Sequence, residues 1–369
     1  MNKYRIVIAS VLKPVTEPRA FSKLALSMRE TSKYHINIIG FCSKKSKKPD
    51  GMRLTPIFCR HRTHILRLLA PFKFLRELID YKPNLVIVST YELLPMALLG
   101  KTLLGFRLIY DLQENYSQNI LFNESVPRAF RSILASWIRI IEITAHRYID
   151  HYFFAEQIYR SQFPYIRNYT VLENKYAGPP PAGRKPLSPH PEFIISGTIT
   201  PVYGIEKAIY WFLALQKHYP QARLHIVGHV PLYDFQKKLE QLTAISANIR
   251  LNISPNPISY NIILEAVQQA DVVLMPYETL DSIRHKVPSK LYEGIALHKP
   301  ILISKNPSWE KIIGQYPAGL AIDFSKYEAA TSHFLELSSL PLYLSIPGKE
   351  VTWEGEKEKL VAILRNILP

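Results

Sequence analysis

The chain has 369 residues, a length that suits two domains of about 170 to 190 residues better than one core. Its 47% hydrophobic and 21% charged residues indicate a folded globular protein and exclude a disordered polyelectrolyte. The two cysteines, Cys42 and Cys59, have no spacing that predicts a disulfide framework or a zinc cluster.

The formal net charge of +16 is unevenly distributed. Residues 1–175 contain 27 Lys and Arg against 13 Asp and Glu, a net charge of +14, and the remainder holds 19 against 17, a net charge of +2. A basic surface of this size attracts nucleic acid, anionic lipid headgroups or an acidic acceptor. A solvated basic face without a partner is the alternative.

Strands and helices alternate in the first half, a pattern typical of parallel βαβ units. A basic run, residues 44–48, is expected to be a loop between two of the strands. The predicted strands are residues 4–11, 35–41, 53–59, 84–89, 107–110, 151–155 and 170–172, and the predicted helices are residues 19–30, 65–79 with an interruption at Pro71, 93–104 and 125–148.

A proline-rich stretch, residues 177–191, cannot join a sheet and predicts an extended linker. The predicted organisation is therefore an N-terminal domain over 1–175, a linker over 176–191, a C-terminal domain over 192–350 and a closing helix in 351–369. We expect an α/β protein with two Rossmann-like domains that face a central cleft.

The second half repeats the alternation. Its predicted strands are residues 192–196, 223–227, 249–253, 271–276, 301–303 and 319–322, and its predicted helices include residues 204–217, 233–243, 259–270 and 354–367. No N-terminal signal and no long apolar run is visible, so we expect a cytoplasmic protein without a transmembrane helix.

The most informative segment, residues 287–300, lies between two apolar strands and forms a loop and a short helix. Lys290 and Glu293 are three apart near the start of this helix, so both project on one face. A cation beside free helix N–H groups suits a phosphate, and a carboxylate one turn later suits sugar hydroxyls. The alternative is an ordinary exposed ion pair.

This segment resembles the donor-binding segment of GT-B glycosyltransferases, in particular the retaining GT4-like group. The resemblance implies that Glu293 binds the ribose of a nucleotide diphosphate sugar and that Lys290 binds the phosphates. The family often has a further Glu eight positions earlier, where this sequence has His285.

A second resemblance to the family lies in the loop after the strand at 192–196. Gly197 and Gly204 allow backbone N–H groups to approach a diphosphate, with Thr198 beside them. GT4-like enzymes usually carry an Arg at the position of Thr198 and a Lys at that of Tyr203. We therefore expect the diphosphate cation to be supplied by one of three other residues, Lys207, Arg284 or Lys290.

In the first half, the sequence from Asp111 to Glu114 resembles the acceptor-side Asp-x-His-Glu loop of GT4-like enzymes, with Gln113 at the position of the His. Asp111 and Glu114 are the candidate catalytic residues, as a base or as hydrogen-bond acceptors for a sugar hydroxyl. A structural role at the strand end is the alternative for Asp111. Arg19, at the first strand–helix turn, is expected to be a surface arginine, with contact to a phosphate as the alternative.

Two cationic, apolar segments, residues 64–76 and 128–147, raise the question of membrane attachment. Such segments lie on anionic membranes or pack as helices on a sheet. For residues 137–141 core packing is the favoured interpretation.

The resemblance implies a metal-independent glycosyltransferase in cell-surface polysaccharide synthesis, with retention of anomeric configuration. Its substrate is a nucleotide diphosphate sugar, it needs no cofactor, and its acceptor is a glycan or a lipid-linked glycan. An anionic membrane surface is a further candidate partner, and nucleic acid is not expected. The alternatives are a nucleotide-sugar 2-epimerase of the same fold and a non-catalytic binder of anionic glycan or nucleic acid.

Overall fold

The computed structural model describes residues 4–42, 51–58, 65–121, 126–179, 181, 183, 186–280 and 284–368. The basic run at 44–48 and Cys59 lie outside these residues. The chain divides into two compact units, the first formed by Met1–Ala177 with Trp353–Pro369 and the second by Gly178–Thr352.

The first unit contains a seven-stranded parallel sheet with the order β3-β2-β1-β4-β5-β6-β7. Its strands are β1 (Tyr4–Pro14), β2 (Tyr34–Phe41), β3 (Met52–Phe58), β4 (Leu85–Val88), β5 (Arg107–Leu112), β6 (His151–Phe154) and β7 (Tyr169–Val171). Its helices are α1 (Leu26–Glu30), α2 (Ala70–Tyr81), α3 (Leu94–Leu104), α4 (Tyr116–Leu121), α5 (Arg128–His146), α6 (Tyr159–Gln162) and, at the C-terminus, α13 (Trp353–Ile367).

The second unit contains a six-stranded parallel sheet with the order β10-β9-β8-β11-β12-β13. Its strands are β8 (Glu192–Thr198), β9 (Arg223–His229), β10 (Ile249–Ser254), β11 (Val272–Met275), β12 (Ile301–Ser304) and β13 (Gly319–Ile322). Its helices are α7 (Ile205–Gln216), α8 (Tyr233–Thr243), α9 (Tyr260–Gln269), α10 (Ser289–Ala296), α11 (Pro307–Gly314) and α12 (Ala330–Ser339). The two sheets confirm the α/β class predicted from the alternating pattern.

Side-chain alternation along β1 builds a core on each face of the first sheet. Val7 and Ala9 pack with residues of α2, α3 and α5, whereas Ile6 and Ile8 pack with α1 and α13. This period of two is what a strand buried on both faces requires. The C-terminal helix α13 thus completes the core of the first unit.

A buried ion pair also joins α13 to the first unit. Glu356 is fully buried and accepts a hydrogen bond from Lys175 Nζ at 2.6 Å, and Lys359 lies 3.0 Å from the same carboxylate. Two ammonium groups therefore balance the buried charge, as burial of a carboxylate demands.

The middle of α5 differs from the sequence expectation of core packing. Ile138 is fully buried, but Trp137 and Ile140 are 58% and 54% exposed. The expectation is wrong for these two residues, because Ala135, Ile138 and others spaced three or four apart already supply the buried stripe of the helix.

The buried stripe of α5 includes an acidic residue, Glu142, which accepts a hydrogen bond from Tyr110 Oη at 2.8 Å. Burial outweighs this bond and the charge of Arg139 and raises the pKa of Glu142 to about 7. The folded state therefore favours the neutral acid. The contribution of Glu142 to the free energy of unfolding is therefore fully present below the unfolded pKa of about 4.5. It is lost as pH rises through the folded pKa of about 7.

We predict that Glu142→Gln removes this pH dependence while keeping an acceptor for Tyr110. Between about pH 5 and pH 8, the free energy of unfolding of the unaltered protein should fall by on the order of 3 kcal/mol relative to the variant. Urea denaturation at both pH values measures the difference. Parallel curves for the two proteins would contradict the assignment.

Candidate active site

The second sheet reverses its strand order between β8 and β11. The strands after β8 extend to one side through β9 and β10, and the next strand, β11, lies on the other side. Such a reversal leaves a crevice at the carboxyl ends of the two central strands, the usual place for a ligand in an open α/β sheet. Here the crevice lies beside Thr198 and Met275, the last residues of these strands.

Gly197 and Gly204 shape the loop at this edge. Gly197 has a φ of +102° and Gly204 a φ of +63°, conformations that L-residues rarely adopt. A Cβ at Gly204 would lie 1.9 Å from the carbonyl oxygen of Pro276. The loop after β8 therefore packs directly on the backbone after β11, and Glu278 N donates to Val202 O at 3.1 Å.

The side chain of Lys290 lies across Gly197. A Cβ built at Gly197 would be 2.2 Å from Lys290 Cε and 2.4 Å from Lys290 Nζ. Lys290 is the second residue of α10, which begins after Pro288 without a side-chain cap. Its ammonium group therefore adds charge to a helix N-terminus at the switch point, an arrangement that suits a diphosphate. Among the residues the structure describes, no carboxylate forms an ion pair with Lys290.

The other two candidate cations are placed differently. Lys207 Nζ forms a 2.8 Å ion pair with Glu278, which satisfies its charge within the protein. Arg284 is exposed, its Nε donates to His285 Nε2 at 2.9 Å and its carbonyl accepts from Asn306. Thr198 is exposed at the end of β8. Lys290 is therefore the cation that the fold brings to Gly197.

Glu293 lies one turn after Lys290 and is 5% exposed. Its Oε2 accepts a hydrogen bond from Tyr260 Oη at 2.8 Å, so Tyr260 orients the carboxylate. The partly buried Tyr277 lies near this carboxylate. Burial first, and then the charges of Tyr203 and Glu293, raise the pKa of Tyr277. The phenol of Tyr277 is therefore neutral at physiological pH.

In the first unit, Asp111 is bound by a buried arginine. Arg19 Nε lies 2.8 Å from Asp111 Oδ2 and Arg19 Nη2 lies 2.6 Å from Oδ1, a bidentate pair in which both side chains are 1% exposed. Arg19 Nη1 also donates to Leu172 O at 2.7 Å and to Asn174 Oδ1 at 3.1 Å. Burial alone lowers the pKa of Arg19, but the charge of Asp111 more than offsets it.

The expectation that Arg19 is a surface residue is therefore wrong. The sequence shows it at a strand–helix turn, but its bonding partners are 92 and 153 residues away along the chain. Both carboxylate oxygens of Asp111 accept hydrogen bonds, from Arg19 and from Gln113 Nε2. Asp111 is therefore suited to holding the loop after β5 in place rather than to removing a proton.

Glu114 is more accessible than Asp111. Its side chain is 42% exposed, lies 3.7 Å from Lys13 Nζ and accepts from Asn119 Nδ2 at 2.8 Å. Gln113, at the position of the family's histidine, lines a small crevice with Ser10, Lys13, Glu17 and Ser89 among mostly apolar neighbours. This crevice is at the carboxyl ends of β1 and β4, where the first sheet reverses its strand order.

The sequence did not identify Tyr260 or Tyr277 as parts of the site. Tyr260 begins α9 and Tyr277 follows β11, and no motif connects either residue with Glu293 in the sequence. Within the described ranges, no group of three or more His, Cys, Asp or Glu side chains is placed to hold a metal ion.

A family model supplies the decisive comparison. Residues 184–349 match the model described as "Glycosyl transferases group 1", which covers nearly all of the second unit. The second unit is a glycosyltransferase group 1 domain. This match includes residues 287–300, so the resemblance identified from that segment is confirmed for the second unit.

Similar solved structures span the whole chain. A sucrose-phosphate synthase from Thermosynechococcus elongatus is 12% identical, with a TM-score of 0.67 and 99% of each chain covered. HepE from Anabaena, in complex with UDP-glucose, is 13% identical, with a TM-score of 0.66 and coverage of 98% of this chain and 99% of that chain. These likenesses confirm the GT-B fold.

A putative UDP-N-acetylglucosamine 2-epimerase from Listeria monocytogenes has the same fold. It is 10% identical, with a TM-score of 0.59 and coverage of 99% of this chain and 96% of that chain. Fold alone therefore does not separate the transferase from the epimerase. No curated protein matches the sequence significantly.

We predict that Gly197→Ala destabilises the protein by about 1–3 kcal/mol, because its φ is unfavourable for alanine and its Cβ would overlap Lys290. Urea denaturation of Gly197→Ala, Lys290→Ala and the double variant measures the effect. The double variant should lose less free energy of unfolding than the two single variants lose together, because Lys290→Ala removes the side chain that the Cβ of Gly197→Ala would overlap.

Gly314→Ala is the matched control, because a Cβ there meets no atom within 4 Å. Its free energy of unfolding should stay within about 1 kcal/mol of that of the unaltered protein. Equal effects at Gly197 and Gly314, or additive effects of Gly197→Ala and Lys290→Ala, would contradict the described position of Lys290.

Proposed function

We propose that the protein is a glycosyltransferase that moves a sugar from a nucleotide diphosphate sugar to a hydroxyl of a glycan or lipid-linked glycan. The observation that carries the proposal is the position of Lys290 over Gly197, one turn before the oriented carboxylate of Glu293. A cation and a helix N-terminus suit the diphosphate of such a donor, and the nearby carboxylate suits the hydroxyls of its ribose.

In this proposal the donor diphosphate lies against the Gly197 loop and Lys290. Charge builds up on the diphosphate as its bond to the sugar breaks, and the Lys290 ammonium group with the α10 N-terminus stabilises that charge. This supply of positive charge lets the reaction proceed without a divalent metal. Glu293 accepts hydrogen bonds from the ribose hydroxyls, while Tyr260 keeps its carboxylate in place.

Glu114 is the proposed acceptor-side residue. Its exposed carboxylate can accept a hydrogen bond from the attacking hydroxyl and help to remove its proton. Asp111, also a catalytic candidate from the sequence, acts in this proposal as a positioning residue, because Arg19 holds both of its oxygens. Thr198 lies at the end of β8 beside Gly197, and Arg284 lies in the loop between β11 and α10. Retention of anomeric configuration follows the family resemblance.

A peripheral position on a membrane and a role in cell-surface polysaccharide synthesis complete the proposal. The +14 charge of residues 1–175 supports contact with an anionic surface. None of the helices in the described part of the chain combines the length and apolarity that a membrane span requires.

The second candidate, a nucleotide-sugar 2-epimerase, is favoured by one observation, the shared fold of the Listeria monocytogenes protein. The epimerase needs no acceptor. Formation of a 2-epimer from donor alone would favour it, and release of the nucleoside diphosphate only when an acceptor is present would favour the transferase.

We predict that one nucleoside diphosphate among UDP, GDP, dTDP, CDP and ADP raises the thermal unfolding temperature of the protein selectively. UDP is the first choice, because the Anabaena structure is in complex with UDP-glucose. Glu293→Ala should lose most of this shift, since the ribose hydroxyls lose their acceptor. Differential scanning fluorimetry measures it.

Glu336→Ala is the control, because Glu336 is an exposed carboxylate of the same unit on α12. It should keep the full nucleotide shift. The proposal fails if no nucleoside diphosphate stabilises the folded protein at millimolar concentration, or if Glu293→Ala and Glu336→Ala respond alike.

A further inference from the structure

The outward face of α5 is apolar. Phe130, Ile133, Trp137 and Ile140 recur three or four residues apart and are 61%, 68%, 58% and 54% exposed. This spacing places them along one side of the helix, opposite the stripe that packs on the sheet. An ordinary amphipathic helix turns its polar side outward, so α5 needs a partner for this face.

Neighbouring helices extend the apolar surface. Helices α2, α3 and α5 pack against the same face of the first sheet, with α3 in contact with both of the others. Leu99 and Leu103 of α3 and Phe72 of α2 are also exposed. One layer of the first unit therefore presents large apolar side chains from three adjacent helices.

The charges beside this face are positive. Arg128, Arg139 and Arg147 are exposed on or just after α5. The acidic residue of α5, Glu142, is buried on the opposite stripe and carries a raised pKa. Apolar and aromatic side chains flanked by exposed arginines match the boundary between anionic headgroups and acyl chains.

We propose that α5 docks on the surface of an anionic lipid bilayer, with Phe130, Ile133, Trp137 and Ile140 at the level of the headgroups. This specifies the membrane contact named in the proposed function and rests on that part of it alone. A second copy of the chain suits the face less well. Symmetric pairing through α5 would bring its arginines together, and the helix has no exposed carboxylate to balance them.

Tryptophan fluorescence offers a direct test. Trp137 is 58% exposed, whereas Trp211, Trp309 and Trp353 are at most 4% exposed. Vesicles of phosphatidylcholine and phosphatidylglycerol in equal parts should shift the emission of the full-length protein to shorter wavelength. Vesicles of phosphatidylcholine alone should not. In Trp137→Phe the shift should disappear while co-sedimentation with the vesicles persists, because phenylalanine keeps the apolar contact.

A double variant tests the apolar contact itself. Trp137→Ser with Ile140→Ser should lower the partition coefficient on anionic vesicles by at least about tenfold, because two apolar side chains leave the interface. The matched control is Leu335→Ser with Leu344→Ser, two residues of the second unit that are 55% and 75% exposed. The control should bind as the unaltered protein does. Arg139→Glu should weaken binding most at low salt.

Three outcomes would overturn the proposal. The first is that the folded protein does not co-sediment with anionic vesicles. The second is that both double variants lose vesicle binding equally. The third is a protein that does not bind vesicles but forms a dimer in solution, which Trp137→Ser with Ile140→Ser converts to a monomer. Nucleotide stabilisation is measured without vesicles. A protein that keeps its nucleotide shift and ignores vesicles therefore refutes the docking surface and leaves the donor site standing.

Discussion

The reversal of strand order between β8 and β11 is the constraint on which the proposed donor site depends. It opens a crevice, and Lys290 can reach this crevice only because residue 197 is a glycine, which adopts a φ of +102° and has no Cβ to overlap the lysine. Lys290 is the second residue of α10, so the N-terminus of this helix brings the lysine side chain to Gly197. The glycine at position 197 thus determines where the ammonium group of Lys290 lies, and this positive charge makes the crevice suitable for a diphosphate.

The sequence predicted the α/β class and the features of the donor segment that local patterns carry. Parallel strands that are buried on both faces have continuous apolar sequences, so the strands at 192–196 and 301–303 could be predicted from the sequence alone. Lys290 and Glu293 share a helix face by spacing alone. The sequence could not predict which of Lys207, Arg284 and Lys290 lies beside the Gly197 loop. That outcome depends on the ion pair between Lys207 and Glu278, which are 71 residues apart along the chain.

The first unit shows the same limit more strongly. Asp111 looks like an accessible carboxylate in the sequence, but Arg19 binds it across 92 residues and turns it into part of the scaffold. In α5 the sequence shows apolar residues on two sides of a helix and cannot say which side meets the sheet. The structure buries the stripe of Ile138 and exposes that of Trp137, so a helix that resembles a core element carries an apolar outer surface.

The most direct test of the account is the contribution of the second phosphate to binding. Calorimetry should compare the nucleoside diphosphate that stabilises the protein most with the matching monophosphate, in the unaltered protein and in Lys290→Met. We predict that the diphosphate binds about tenfold or more tightly than the monophosphate, and that Lys290→Met removes most of this difference. Equal preference for the diphosphate in both proteins would contradict the central role of Lys290 over Gly197.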